Sequence, residues 1–164
     1  MADATRIPEM RITIFAVAVT MAFTSCIAAR AAQPDDADVI KVVNEYLADM
    51  NQGAADTFVR LCSPQTIIID DFPPHTWQGP TACMDWLTAF AAYDAKAGIT
   101  PRAVTIGKPW RVSVNGENAY VVVPATYTYT KGKKKVTEAN SVWTLALRKG
   151  PDGWRIAGWA WGQR

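Results

Sequence analysis

Residues 66–79 read TIIIDDFPPHTWQG, and the fold follows from how they are placed. The β-branched run Ile67 to Ile69 suits a buried strand. That strand runs into two carboxylates, Asp70 and Asp71, and then into a segment broken by Pro73 and Pro74. The only histidine of the chain, His75, and Trp77 follow before Gly79-Pro80 opens a helix. A strand that delivers acids, an imidazole and an indole to its own exit predicts a pocket at that end.

Upstream, Ile40, Val43, Leu47 and Met50 fall at i, i+3, i+7 and i+10, which predicts an amphipathic helix over residues 36–50. Tyr46 lies beside this stripe, so its ring is buried and its hydroxyl needs a partner. Gly53 caps the helix end, and a short second helix over 54–62 carries Phe58, Leu61 and Cys62 on one side. Downstream, Pro80 sits at a first helical position. Cys83, Leu87, Phe90 and Ala91, with Trp86 alongside, give a third helix a wide apolar face as far as Gly98.

From there the hydrophobic period changes to two. Residues 104–114, 119–130, 136–148 and 154–161 read as four long strands, separated by turn signals at Asn115-Gly116, Lys131-Gly132 and 150–153. Pro124 predicts a bulge or bend in the second of them. Three helices followed by a meander make an α+β domain: a curved antiparallel sheet covered by three N-terminal helices. Such a cone encloses an apolar cavity.

Arg6 and Arg11 precede an uncharged apolar run, residues 12–29, which reads as a secretory leader. Ala29-Arg30-Ala31 offers a cleavage site, giving a signal peptide at 1–31 and one domain at 32–164. The expected location is then periplasmic or secreted. A weak lipobox before Cys26 offers the alternative of a lipid anchor, and a retained anchor is a third. Membrane contact is expected only through this segment. Setting aside its three arginines and two acids, the 17 basic and 15 acidic residues reduce to a balance of +1. That near-neutrality argues against a nucleic-acid partner, which needs a basic stripe. The basic cluster Lys131, Lys133, Lys134 and Lys135 reads as a solvated hairpin tip. Cys62 and Cys83 are either bridged across the 66–79 segment or two buried thiols.

The helix bearing Tyr46, the IIIDD strand exit, the Gly79-Pro80 helix start and the closing GWRIAGWAWGQ (153–163) give the chain a resemblance. It resembles the NTF2-like superfamily, in particular the SnoaL-like and ketosteroid-isomerase-like branch, over residues 36–163. The resemblance implies a cone-shaped fold that serves enzymes, binding proteins and assembly modules alike. It further implies Asp70 as a proton-carrying base, with Asp71 as the alternative if the loop shifts, and Tyr46 as a hydrogen-bond donor to a substrate oxygen. The second oxyanion donor of the isomerases, an aspartic acid on the penultimate strand, has no counterpart in Ser141-Val142-Trp143. Sheet faces in this superfamily often pair, which implies a homodimer.

Because successive strand side chains face opposite sides, only one of Asp70 and Asp71 is expected to enter the cavity. An aspartate there has its pKa raised by desolvation, toward general-base range. The competing reading is a carboxylate that accepts backbone N–H groups and caps the turn. His75 is a candidate second acid/base, or simply a loop residue. One histidine among scattered acids makes no metal site, and no phosphate loop is present, so no cofactor is expected. Trp77, Trp86, Phe90, Trp143 and Trp159 are the candidate ligand contacts. Alternation puts Trp159 and Trp161 on one face of the last strand and Trp154 on the other. The expectation is a domain that binds a small apolar or aromatic molecule. The alternatives are a cofactor-independent isomerase, dehydratase or cyclase, and a non-catalytic dimerisation module.

Overall fold

The computed structural model describes residues 34–163; the expected leader lies outside the described residues. Helix α1 spans Pro34–Gln52, with Pro34 at its start and Asp35 and Asp36 in its first turn, where carboxylates favour the helix dipole. It buries Val39, Val43, Tyr46, Leu47 and Met50. The apolar stripe is therefore rotated slightly from the expected one, leaving Ile40 half-buried. Helix α2 is Ala55–Arg60 and helix α3 is Ala82–Ala97. Gly98 closes α3 at φ 65°, a left-handed position that glycine occupies without strain. Pro80 lies in the turn before α3, two residues short of its expected helical position. No described helix is long and apolar enough to cross a membrane.

Seven strands form one sheet: β1 (Cys62–Ile69), β2 (Thr76–Gly79), β3 (Ile99–Ile106), β4 (Arg111–Asn115), β5 (Asn118–Lys131), β6 (Lys134–Gly150) and β7 (Gly153–Gly162). The spatial order is β2-β1-β7-β6-β5-β3, with β4 also paired to β5. β1 runs parallel to β7; every other pairing is antiparallel. Together with the helices this is the expected α+β arrangement, a curved sheet that does not close.

Two expected elements differ. The prolines and His75 read as a loop, yet Thr76–Gly79 returns along β1 as a hairpin partner, pairing Ile68 with Trp77. The single strand expected over 104–114 is two strands, because β3 and β4 share one edge of β5 in succession. The change of partner falls opposite Pro124, whose carbonyl accepts from the Gly107 N–H at 2.9 Å. The edge that needs an N–H from residue 124 is the edge left without a continuous neighbour, so proline fits there.

Two single-residue bulges re-phase the long strands. Ala125 pairs with Ser141 but Tyr127 with Glu138, so β6 carries an extra residue there, and Asn140 takes φ 68°. The bulge expected at Pro124 thus lies on the neighbouring strand. Leu147 pairs with Ile156 but Ala146 with Gly158, which leaves Ala157 unmatched on β7. That residue reverses the alternation, so Trp154, Ile156 and Trp159 are all buried on the inner face. The expectation of Trp154 on the opposite face to Trp159 is corrected by this bulge. The strand approach is tightest at Gly158, where a Cβ would lie 2.7 Å from the Ile67 carbonyl oxygen. A disulfide joins Cys62, at the start of β1, to Cys83 in the first turn of α3, with Cα atoms 6.6 Å apart.

Candidate functional site

The helices and the inner face of the sheet leave a cavity of about 250 Å³. Its wall is built from the β1 exit (Asp70, Asp71, Phe72), from Met50 of α1, and from Trp86, Phe90 and Tyr93 of α3. The sheet adds Ile99, Val104, Tyr127, Tyr129, Glu138, Trp143, Trp159 and Trp161, with Gln163 just beyond β7. Asp71, Tyr93 and Gln163 are exposed and mark the side open to solvent.

β1 ends at Ile69, so Asp70 and Asp71 stand beyond the last paired residue. Burial nevertheless keeps alternating past the strand end: Ile68 and Phe72 are buried, Asp70 is half-buried and Asp71 is exposed. Both acids contribute to the lining, Asp71 at its solvent-open rim. Asp70 Oδ2 accepts the indole N–H of Trp86 at 2.8 Å, and Oδ1 accepts the backbone N–H of Asp71 at 2.8 Å. Burial raises the Asp70 pKa to about 6; the Trp86 and Asp71 hydrogen bonds act against that rise, and the neighbouring Asp71 charge adds to it. A carboxylate tuned there is ionised at neutral pH yet accepts a proton more readily than an exposed aspartate.

His75 does not line the cavity. Held at φ 70°, it accepts the Asp70 backbone N–H at 3.0 Å through its own carbonyl, while its Nδ1 lies 3.1 Å from the Asp70 carbonyl oxygen. Its visible work is to fasten the loop that presents the two acids. Trp77 is also off the wall: it is buried behind Phe72, ring centroids 5.0 Å apart.

Tyr46 is fully buried and lies outside the cavity lining. Its ring stacks on Phe58 at 4.2 Å, and its hydroxyl oxygen accepts the Trp159 indole N–H at 2.9 Å. The hydroxyl lies 3.8 Å from Cys83 Sγ, a disulfide sulfur with no hydrogen, so Tyr46 is the donor of that weak contact. Burial raises the phenol pKa well above its usual value, opposed by the Trp159 hydrogen bond. Both capacities of the oxygen are therefore spent on the scaffold. Tyr46 positions Trp159, and Trp159 faces the hollow.

Trp86, Phe90, Trp143 and Trp159 all stand on the wall. Trp143 is 2% exposed and its indole N–H meets no acceptor among the described residues. Sequence reasoning missed Glu138; Tyr127 and Tyr129 belong to the aromatic set of which some members were expected to line the cavity. Glu138 faces inward because of the β6 bulge beside it, and accepts the Tyr129 hydroxyl at 2.8 Å and the Gln163 side-chain N–H. Asn140 was the one available signal, since asparagine tolerates positive φ. At the far end of α3, buried Asp94 pairs with Arg102 and accepts the Tyr127 hydroxyl at 3.2 Å. The Arg102 guanidinium stacks 4.1 Å from the Phe90 ring centroid. Burial raises the Asp94 pKa, and the Arg102 charge works against it.

A curved sheet roofed by N-terminal helices around an aromatic hollow is the NTF2-like architecture. The chain belongs to the SnoaL-like domain family, whose model matches residues 39–160. Among solved structures it is similar to an NTF2-like protein with a cystatin-like fold from Novosphingobium aromaticivorans, at 18% identity and TM-score 0.65, covering 79% of this chain and 81% of that one. A ketosteroid isomerase-like protein from Erwinia carotovora is 15% identical at TM-score 0.64, with 80% and 98% covered. An NTF2-like superfamily protein from Salmonella enterica is 16% identical at TM-score 0.64, with 79% and 90% covered. At these identities the likeness is one of fold. A search of curated protein sequences finds no match.

Proposed function

We propose that this SnoaL-like domain binds a small, flat, largely apolar molecule in its cavity. The observation that carries this is the unfilled hollow of about 250 Å³, with nine aromatic side chains in its wall. A cavity of about 150 Å³ already takes a benzene ring, so the space suits one or two rings. The unpaired Trp143 N–H supports a ligand with an acceptor oxygen, because a buried donor without a partner is costly. The test is tryptophan fluorescence and NMR shift perturbation with a panel of one- and two-ring compounds. Perturbations confined to Trp86, Trp143 and Trp159 are the expected result; a panel that leaves all three unmoved sinks the reading.

One observation favours a second reading, proton transfer within that cavity. Asp70 combines a wall position with a pKa near 6, the range for a general base at neutral pH. In this reading Asp70 removes a proton beside a ligand carbonyl, without Tyr46, whose hydroxyl is engaged by Trp159. Loss of hydrogen–deuterium exchange on a bound ketone in Asp70→Asn, with binding retained, is the outcome that tests it.

We also propose that the domain is exported and pairs with a second copy through the outer sheet face. Tyr120, Ala146, Gly158 and Ile67 line up in register across four strands of that face. Ile67 and Ile69 are each 49% exposed there, uncovered by the described helices. Ile67→Glu is expected to halve the mass measured by light scattering if the pairing is real.

A further inference from the structure

The cavity wall has a charge pattern that a neutral ligand does not explain. Three acidic residues line it, Asp70 and Glu138 within and Asp71 at the open rim, and no described Lys, Arg or His does. Asp70 is held by an indole and a backbone N–H, Glu138 by a phenol and an amide. All four donors are neutral, and neither acid forms an ion pair among the described residues. Arg102 stacks on the Phe90 ring, but its charge is matched by Asp94. Uncompensated negative charge beside a low-dielectric hollow is unfavourable unless a cation enters it.

The rest of the wall has the same preference by a different mechanism. Aromatic faces carry negative quadrupoles, which attract a cation within about 6 Å of the ring centroid. Trp86 and Trp159 meet edge to face, at 5.0 Å and 88°, as do Trp143 and Trp159, at 5.8 Å and 79°. Indoles at right angles offer faces in more than one direction, as an aromatic cage does.

Resting on the reading that the cavity holds a ligand, we propose that this ligand is an organic cation: a one- or two-ring molecule bearing a substituted ammonium group. Its ring fills the apolar hollow against Phe90, Val104 and Trp143. The ammonium sits among the indole faces with Asp70 and Glu138 as counter-ions. A quaternary or tertiary amine suits the wall better than a bare ammonium, because its methyl groups lose less hydration on entering an aromatic site.

The experiment compares three one-ring probes on the intact protein, by calorimetry and tryptophan fluorescence: phenyltrimethylammonium, its neutral isostere tert-butylbenzene, and the anion benzoate. Phenyltrimethylammonium is expected to bind on the order of tenfold tighter than the neutral isostere, with benzoate weakest. Glu138→Gln, at a half-buried position, is expected to weaken the cation several-fold and leave the neutral probe unchanged. Equal or tighter binding of tert-butylbenzene or benzoate overturns the cation proposal and leaves the ligand-cavity reading standing. Failure of all three probes to bind up to millimolar concentration overturns both.

Discussion

The indole of Trp86 donates to Oδ2 of Asp70 at 2.8 Å, tying the first turns of α3 to the exit of β1. An apolar ring and an acid sixteen residues apart thus form one unit on the cavity wall. Trp86 both lines the hollow and opposes the rise in pKa that burial imposes on the acid beside it.

Trp86→Phe removes a hydrogen bond made to the charged carboxylate, which lowers the Asp70 pKa. Its loss is expected to raise that pKa further above 6, by about one unit, since such bonds contribute about 1.5–3 kcal/mol. Carbon-detected NMR titration of the Asp70 carboxyl checks this. An unchanged or lowered value removes Trp86 from the argument.

Asp70 makes stability depend on pH. Its folded pKa, about 6, lies above the unfolded 3.8, so its favourable contribution is complete below about pH 4 and lost as pH rises through 6. Wild type is expected to lose up to about 2–3 kcal/mol from this group between pH 4 and 7.5. Asp70→Asn lacks this loss. Urea unfolding at four pH values across that range makes the comparison, and parallel curves for the two proteins contradict it.

Cys62 and Cys83 close a loop with a sequence separation of 21. Replacing both by alanine is expected to cost about 3 kcal/mol, mostly by freeing the unfolded chain. The denaturation midpoint should fall accordingly. A midpoint that matches the oxidised protein shows that the bridge adds nothing.

Gly158→Ala drives a methyl group against the Ile67 carbonyl, 2.7 Å from the added carbon. The β1–β7 seam must open, and destabilisation of about 2–3 kcal/mol is expected. Gly162→Ala is the control, because no atom lies within 4 Å of its added carbon. Calorimetric melting that ranks the two variants the other way refutes the close-approach argument.

Tyr46→Phe leaves the Trp159 indole N–H without an acceptor in a fully buried setting. Loss of about 1–3 kcal/mol of stability is expected, with probe affinity changed less than about twofold because the phenol does not reach the cavity. A large loss of affinity at unchanged stability would return Tyr46 to the site.

The helices and the meander were legible because each shows its own hydrophobic period. Period carries no record of a bulge, however. One unmatched residue at Ala157 brings Trp154 to the inner face, and one beside Asn140 turns Glu138 inward. Both depend on the register between strands, which is a relation between two stretches and not a property of either. Tyr46 was rightly placed in the core, but its partner on β7 could not be read from α1. The hairpin strand Thr76–Gly79 was hidden by Pro73 and Pro74, whose breaking signal ends one residue before the strand begins.

The parallel seam between β1 and β7 joins opposite ends of the domain. On a ribosome the acid-bearing strand emerges first, and its neighbour follows only after α3 and the whole β3–β6 meander. Until Gly158 and Trp159 have left the exit tunnel, Ile68 has no floor to dock on and Asp70 hangs from an unanchored edge. A chain stopped before Gly153 would therefore yield helices and a meander, but no chamber.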